Sequence, residues 1–179
     1  MGSFSLALAE LILVSKKMVI DKKFKGLVKE DYRYVFNGNI ETTESLEIDL
    51  DMGLFVTGYI KAGGSIKAGG SIEAGEFIKA GWSIKAGEFI KAGGYYGIVA
   101  GLSITCKDTL SFGLKVFAGI CAWREVTDEE KTITCGKLEN GAVGYGILKE
   151  TGLEPEDDDR TEEAMKLLRE KGYKIIKEK

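Results

Sequence analysis

Residues 59–94 read YIKAGG-SIKAGG-SIEAGE-FIKAGW-SIKAGE-FIKAGG, which is one six-residue pattern repeated without a break. Each copy has Ile at its second position, Ala at its fourth and Gly at its fifth. A fixed short period of this kind indicates a repeat architecture, in which each unit packs only on its neighbours.

Strand geometry explains the pattern. Alternate side chains of a β-strand point to opposite faces, so Ile and Ala face one way and the residue between them faces the other. Gly then turns the chain, because it adopts positive φ at little cost. Three such sides make a triangular rung of about 18 residues, and rungs stack about 4.8 Å apart through backbone ladders. The sequence therefore predicts an all-β fold, a triangular parallel β-helix (solenoid).

The same spacing extends the coil beyond the obvious repeat. Ile40 and Leu46 join it when a two-residue insertion is allowed within residues 49–53. We therefore expect about six rungs over residues 36–150. Apolar pairs eighteen residues apart are Leu54/Val56 with Ile72/Ala74, Tyr96/Ile98 with Leu114/Val116, and Leu102/Ile104 with Ile120/Ala122.

The order of residues within the repeat bears on the hand of the coil. Left-handed hexapeptide coils place a small residue two positions before the aliphatic one, whereas here Ala comes two positions after it. This order favours a right-handed, bactofilin-like coil.

Both ends of an open solenoid expose unpaired strand edges and need a cap. Residues 1–35 are predicted to form the N-terminal cap. Residues 151–179 are predicted to form a short α/β appendage, with an acidic linker at 154–159, a helix at 161–171 and a final strand. A helix this short needs a surface to pack on. We expect it to cap the coil or to join a homodimer.

Composition excludes several classes of protein. The net charge of −3 and the pI near 5.3 argue against broad nucleic-acid binding, which needs a basic surface. The apolar segment Leu6–Val14 is too short to span a bilayer, so no direct membrane binding is expected. Three cysteines without a CxxC pair indicate reduced thiols and a cytoplasmic protein.

The chain contains no histidine. The acyltransferases and γ-type carbonic anhydrases built on hexapeptide coils use His as base or metal ligand, and no position here supplies it. A cysteine nucleophile would lack its usual base, and we place Cys106 and Cys121 in the wall of the coil. No phosphate-binding GxxxxGK[ST] run occurs. We therefore predict no enzyme activity, no catalytic residues, no metal and no cofactor.

The outward positions vary from copy to copy. The residue before each Ile is aromatic at every third copy, which predicts that Tyr59, Phe77 and Tyr95 stack in one vertical column. Such aromatics either stabilise neighbouring strands beneath a terminal segment or form an exposed patch for a protein partner. The candidate partner-binding residues are Tyr59, Phe77, Tyr95, Phe89, Trp82, Lys61 and Lys79.

The runs IKAGGSIKAGGSIEAGEFIKAGWSIKAGEF and CAWREVTDEEKTITCGKLENGAVGYGIL resemble a family of poorly characterised repeat proteins of Gram-positive bacteria, their phages and mobile elements. The resemblance covers residues 36–150 and carries no catalytic residues. It implies a small, stable scaffold of the kind that mobile elements use to block host machinery, including anti-CRISPR proteins.

These observations predict a non-enzymatic interaction protein. Its specific form is a phage-encoded inhibitor that sterically blocks a host nucleoprotein complex of the CRISPR-Cas type. One alternative is a bactofilin-like structural protein that assembles through its coil ends. Another is a small-ligand sponge that binds its ligand between protomers.

Overall fold

The computed structural model describes residues 17–152, and all regular structure within that range is β-strand. The predicted C-terminal helix and strand, the acidic linker and Leu6–Val14 lie outside the described residues. The strands are β1 (Lys17–Ile20), β2 (Leu27–Lys29), β3 (Arg33–Phe36), β4 (Ile40–Thr42), β5 (Ser45–Ile48), β6 (Gly53–Val56), β7 (Ile60–Ala62), β8 (Ile66–Ala68), β9 (Ile72–Ala74), β10 (Ile78–Ala80), β11 (Ile84–Lys85), β12 (Ile90–Lys91), β13 (Ile98–Ala100), β14 (Ile104–Thr105), β15 (Thr109–Ala118), β16 (Thr132–Cys135), β17 (Lys137–Tyr145) and β18 (Ile147–Glu150).

Apart from β2, which pairs antiparallel with β3, and β17, which pairs with both halves of β15, the strands lie in three columns of parallel neighbours. The first column contains β4, β7, β10, β13 and the end of β15. The second contains β1, β5, β8, β11, β14, β16 and β18. The third contains β3, β6, β9, β12 and the start of β15. Since consecutive strands fall in successive columns and pair in parallel, the topology is compatible with the predicted β-solenoid.

The core lies between the three columns and is filled by stacked aliphatic side chains. In the first column Ile60, Ile78, Ile98 and Val116 lie in one register and are fully buried. The Ala two residues after each of the three Ile is buried too. Each aliphatic residue taken out of water contributes about 1.5–3 kcal/mol. The prediction that Ile and Ala face inward is confirmed.

Most of the predicted register is also confirmed. Leu54 pairs with Ile72, eighteen residues along the chain. Ile40 pairs with Ile60 across twenty residues, as the insertion within 49–53 requires. The chain thus accepts extra residues at a corner while the ladder on each side keeps Ile beside Ile.

A second insertion overturns the prediction that Tyr96 continues the Ile spacing. Ile78 pairs with Ile98, which lies twenty residues away rather than eighteen. The extra residues form a turn, in which the Tyr96 amide donates to the Gly93 carbonyl at 2.9 Å. Tyr96 is exposed, because Ile98, two positions later, pairs with Ile78 and fills the interior position.

The predicted inward pair Ile120/Ala122 is wrong for the same reason. Ile104 pairs with Ile133, and the residues between β15 and β16 form a loop. Ile120 is 47 % exposed in this loop, which begins at Gly119 with a φ of +83°. Cys121 therefore lies in a loop and not in the wall of the coil.

Glycine is needed at these corners because the backbones of neighbouring rungs approach closely, and not because the corners have positive φ. Within the repeat none has positive φ. A Cβ at Gly87 would instead lie 1.8 Å from the carbonyl oxygen of Gly69, one rung away. Because real Cβ atoms do not approach this closely, a side chain here would push the two rungs apart.

A matched pair of substitutions tests this packing. Gly87→Ala should destabilise the protein by roughly 1–3 kcal/mol, as overpacking of a tight site does. Gly69→Ala, at the same corner, meets nothing within 4 Å and should be neutral or add up to about 1 kcal/mol. Urea unfolding followed by circular dichroism measures both changes. Equal effects at the two positions would contradict the stacking.

Candidate functional site

The outer face of the second column is polar. Ser45, Ser65 and Ser83 form a ladder, in which the amides of Ser65 and Ser83 donate to the hydroxyl oxygens one rung away at 3.2 and 3.4 Å. Lys67 and Lys85 are exposed beside it. This part of the face presents solvated polar groups.

Ion pairs cover the outer face of the third column. Glu73 lies 3.4 Å from Arg33 and 3.0 Å from Lys91. The Arg33 guanidinium also lies 4.5 Å from the Phe55 ring centroid. Phe89, a predicted partner-binding residue, is half-buried in this column. The charged groups Arg33, Glu73 and Lys91 of this column thus form ion pairs with one another.

The first column carries the predicted aromatic stack. The rings of Tyr59 and Phe77 are stacked, with centroids 4.7 Å apart and planes 7° apart. The Tyr59 hydroxyl donates to Glu41 at 2.9 Å, and the Lys61 ammonium donates to the same carboxylate at 2.6 Å. These two hydrogen bonds lower the pKa of Glu41, and the one from Lys61 has the larger effect. Tyr59 is therefore held in place against one face of Phe77.

Tyr95 does not complete the stack. The two-residue insertion places Gly97 next to Phe77 in the register, and the Ile78 amide donates to the Gly97 carbonyl at 3.4 Å. Tyr95 lies in the preceding turn and is 87 % exposed. A Cβ at Gly97 would lie 2.3 Å from the Lys115 carbonyl oxygen. No ring fits at this level, and the predicted three-membered column ends after Phe77.

An open groove of about 520 Å³ lies beyond Phe77, where the stack ends. Leu114 is 59 % exposed at the groove. Val99 and Phe117 occupy the outward middle positions of their strands, in register with Lys79. The groove is lined by Phe77, Lys79, Gly97, Val99, Gly113, Leu114, Lys115 and Phe117.

Sequence reasoning found Phe77 and Lys79 but missed Val99 and Phe117, and it wrongly placed Leu114, which is exposed, in the inward spacing with Val116. The sequence does contain a signal for Val99 and Phe117. The middle residue of the strand triplet changes from Lys in IKA to Val in IVA at 98–100 and to Phe in VFA at 116–118. The middle residue of such a triplet points outward, so an apolar residue there indicates an apolar outer face. This holds however the strand aligns with its neighbours.

Exposed large apolar residues gather at the two corners that flank this groove. Tyr95 and Tyr96 lie in the turn before β13, and Trp82 lies at the corner after β10. Ile120 and Trp123 lie in the loop after β15. Large contiguous apolar surfaces are rare on monomeric proteins and mark interaction sites. The groove therefore lies between two corners that each carry exposed apolar residues.

The two lysines at the groove, Lys79 and Lys115, differ in their ion pairing from the neighbouring Lys61, which pairs with Glu41. Within residues 17–152 neither Lys79 nor Lys115 forms an ion pair. Both residues line the groove together with apolar side chains. The groove thus combines an apolar lining with a positively charged rim.

The cysteines offer no reactive thiolate in the core. Burial raises the pKa of Cys106 to about 12 and that of Cys135 to about 11. Their side chains face the interior at the ends of neighbouring strands of the second column. In the described part of the chain, no group of three or more His, Cys, Asp or Glu side chains is placed to hold a metal ion.

No protein-family model, curated protein sequence or solved structure matches the chain. Over residues 17–152, no helix combines the length and the apolar character needed to cross a membrane.

The raised pKa values predict the order of thiol reactivity. With pKa values raised to about 12 for Cys106 and about 11 for Cys135, few of these thiols are ionised at pH 8, and only the thiolate reacts. Cys121, in its loop, should react first with Ellman's reagent, and the other two should follow only in denaturant. Cys121→Ser serves as the control and should remove the fast phase. Fast reaction of all three thiols in the native protein would contradict this placement.

Proposed function

We propose that the protein is a non-enzymatic interaction scaffold, a triangular parallel β-helix whose first column binds a partner protein. The observation that supports this is the groove beside Phe77, where apolar side chains and two lysines share one open surface. The second and third columns present polar ladders and ion pairs that are satisfied within the chain. One face thus differs in chemistry from the other two.

The groove has the composition of a binding centre. Interface cores are rich in aromatic residues and poor in charge, and a few buried anchors carry most of the binding free energy. An apolar partner side chain seated against Phe77, Leu114 and Phe117 would lose most of its contact with water, worth about 1.5–3 kcal/mol. Lys79 and Lys115 favour a partner with carboxylates beside that anchor.

The scaffold itself suits steric inhibition. A ladder-stacked coil presents its face rigidly, so little conformational entropy is lost when a partner docks. Blocking of a host nucleoprotein complex by a phage-encoded inhibitor remains our specific prediction, and it rests on the resemblance of the repeat. Residence in the host cytoplasm belongs to the same prediction.

Substitutions at the groove test the proposal. Tagged full-length protein is used to capture partners from a bacterial lysate. Leu114→Asp and Phe77→Ser should each weaken capture of the same partner at least tenfold, or about 1.4 kcal/mol, because both remove apolar contact. Val19→Asp, which changes an exposed apolar residue of the second column, is the matched control and should bind normally.

Thermal unfolding and light scattering complete this experiment. All three variants should melt close to the parent, because the substituted side chains lie outside the core. Capture that survives both groove substitutions, or is lost only in variants that unfold, would contradict the proposal. Light scattering should show a discrete monomer or dimer. Filaments would instead support the alternative of self-assembly through the coil ends.

A further inference from the structure

The outer face of the first column places the groove side chains on a regular grid. Three successive rungs contribute the strands β10, β13 and β15, which pair in parallel. On each rung two side chains point outward, one just before the inward aliphatic residue and one just after it. From the lowest of these rungs upward, the pairs are Phe77 and Lys79, Gly97 and Val99, and Lys115 and Phe117.

The order of ring and charge is reversed between the lowest and the highest of these three rungs. Phe77 therefore lies diagonally across the groove from Phe117, and Lys79 lies diagonally across from Lys115. Outward residues of one strand are about 7 Å apart and alternate rungs are about 10 Å apart, so each diagonal measures about 12 Å between Cα positions. Gly97 lies between the four corners, where it leaves space that a side chain would fill.

Both rings are supported on the side away from the groove. Tyr59 stacks on Phe77 from the rung below, with ring centroids 4.7 Å apart. Gly144 lies against Phe117 from the rung above, where an added Cβ would be 2.6 Å from the ring. Because each ring is packed from behind, the two rings hold the space over Gly97 open between them.

The two lysines give the groove a local positive charge on a chain whose net charge is −3. One rung below, Lys61 pairs with Glu41 at 2.6 Å. Lys79 and Lys115 are exposed, and none of the described residues that line the groove is acidic. Carboxylates supplied by a partner would therefore complement both ammonium groups.

The width between the rings decides what kind of segment fits. An α-helix with its side chains is about 10–12 Å across, which is as wide as the whole distance between the two Phe Cα positions. An extended chain needs only about 5 Å, the spacing of neighbouring strands. In an extended chain every second residue points to the same side, and residues i and i+4 are about 13 Å apart. That distance matches the diagonal between the two lysines.

We infer that the groove binds an extended, acidic segment of a partner protein, in which an apolar residue has a carboxylate two positions away on each side. The apolar side chain lies over Gly97, between the rings of Phe77 and Phe117. The carboxylates pair with Lys79 and Lys115. Such binding rests on the proposed function of the groove and specifies the chemistry of the partner.

Two capped synthetic peptides of identical composition test the spacing. In Glu-Ser-Leu-Ser-Glu the Leu and both carboxylates share one side of the extended chain, whereas in Ser-Glu-Leu-Glu-Ser both carboxylates point away from the side of the Leu. Each peptide is titrated into isotope-labelled full-length protein and followed by NMR. The first peptide should shift the amides of Gly97 and Val99 and bind about threefold to tenfold tighter than the second, as expected for two exposed ion pairs.

Charge reversal at the groove tests the role of the lysines. Lys79→Glu and Lys115→Glu should each weaken binding of Glu-Ser-Leu-Ser-Glu about threefold or more, because each replaces an attraction by a repulsion. Lys85→Glu, on the second column, changes the net charge equally and is the matched control, which should bind normally. All three variants should melt close to the parent, since the three lysines are exposed.

Three results would overturn the inference. The first is equal binding of the two peptides, or no amide shift at the groove with up to about 5 mM peptide. The second is an equal effect of the groove and control substitutions. The third is a dimer in light scattering that Leu114→Asp dissociates, which would mean that a second copy of the chain occupies the groove.

Failure of the acidic segment is distinguishable from failure of the proposed function. Lysate capture that is lost with Leu114→Asp but unchanged by both lysine substitutions would refute the acidic segment and leave the binding face standing. Capture that survives every groove substitution would contradict both.

Discussion

The backbone ladder between parallel strands of one column is the interaction on which the rest of the structure depends. It holds each Ile beside the Ile of the next rung, so the core is a stack of identical contacts. It also brings corner backbones so close that Gly87 meets the carbonyl of Gly69. The composition of the repeat follows from this spacing, because the interior admits an aliphatic residue and a small one, and a corner position such as Gly87 leaves no room for a Cβ.

The same ladder explains how a uniform repeat acquires a distinctive surface. Inward positions stay in register, so extra residues are forced outward at the corners. The insertion before β13 exposes Tyr95 and puts Gly97 beside Phe77. The aromatic stack stops there, and the space beyond it becomes a groove lined by Leu114 and Phe117. The candidate site thus arises where the repeat is interrupted, while the regular part supports it.

Much of the fold is readable from the sequence, because six-residue spacing reports burial directly. Ile60 and its equivalents are inward as predicted, and the insertion within 49–53 is recovered from the register. Tyr96 and Ile120 were misplaced because each is apolar and fits the spacing by coincidence, so periodicity alone cannot separate an inserted residue from a core residue. The groove was missed for the same reason, since Gly97 beside Phe77 depends on that insertion.

The register around the groove is tested most directly by nuclear Overhauser contacts between labelled Ile methyl groups and aromatic rings. The Ile78 methyl groups should show contacts to those of Ile60 and Ile98, the neighbours on either side in the first column. Contacts from Ile78 to the Tyr96 ring, with none to Ile98, would mean that the eighteen-residue spacing continues without interruption. That result would remove the groove and contradict the proposed binding face.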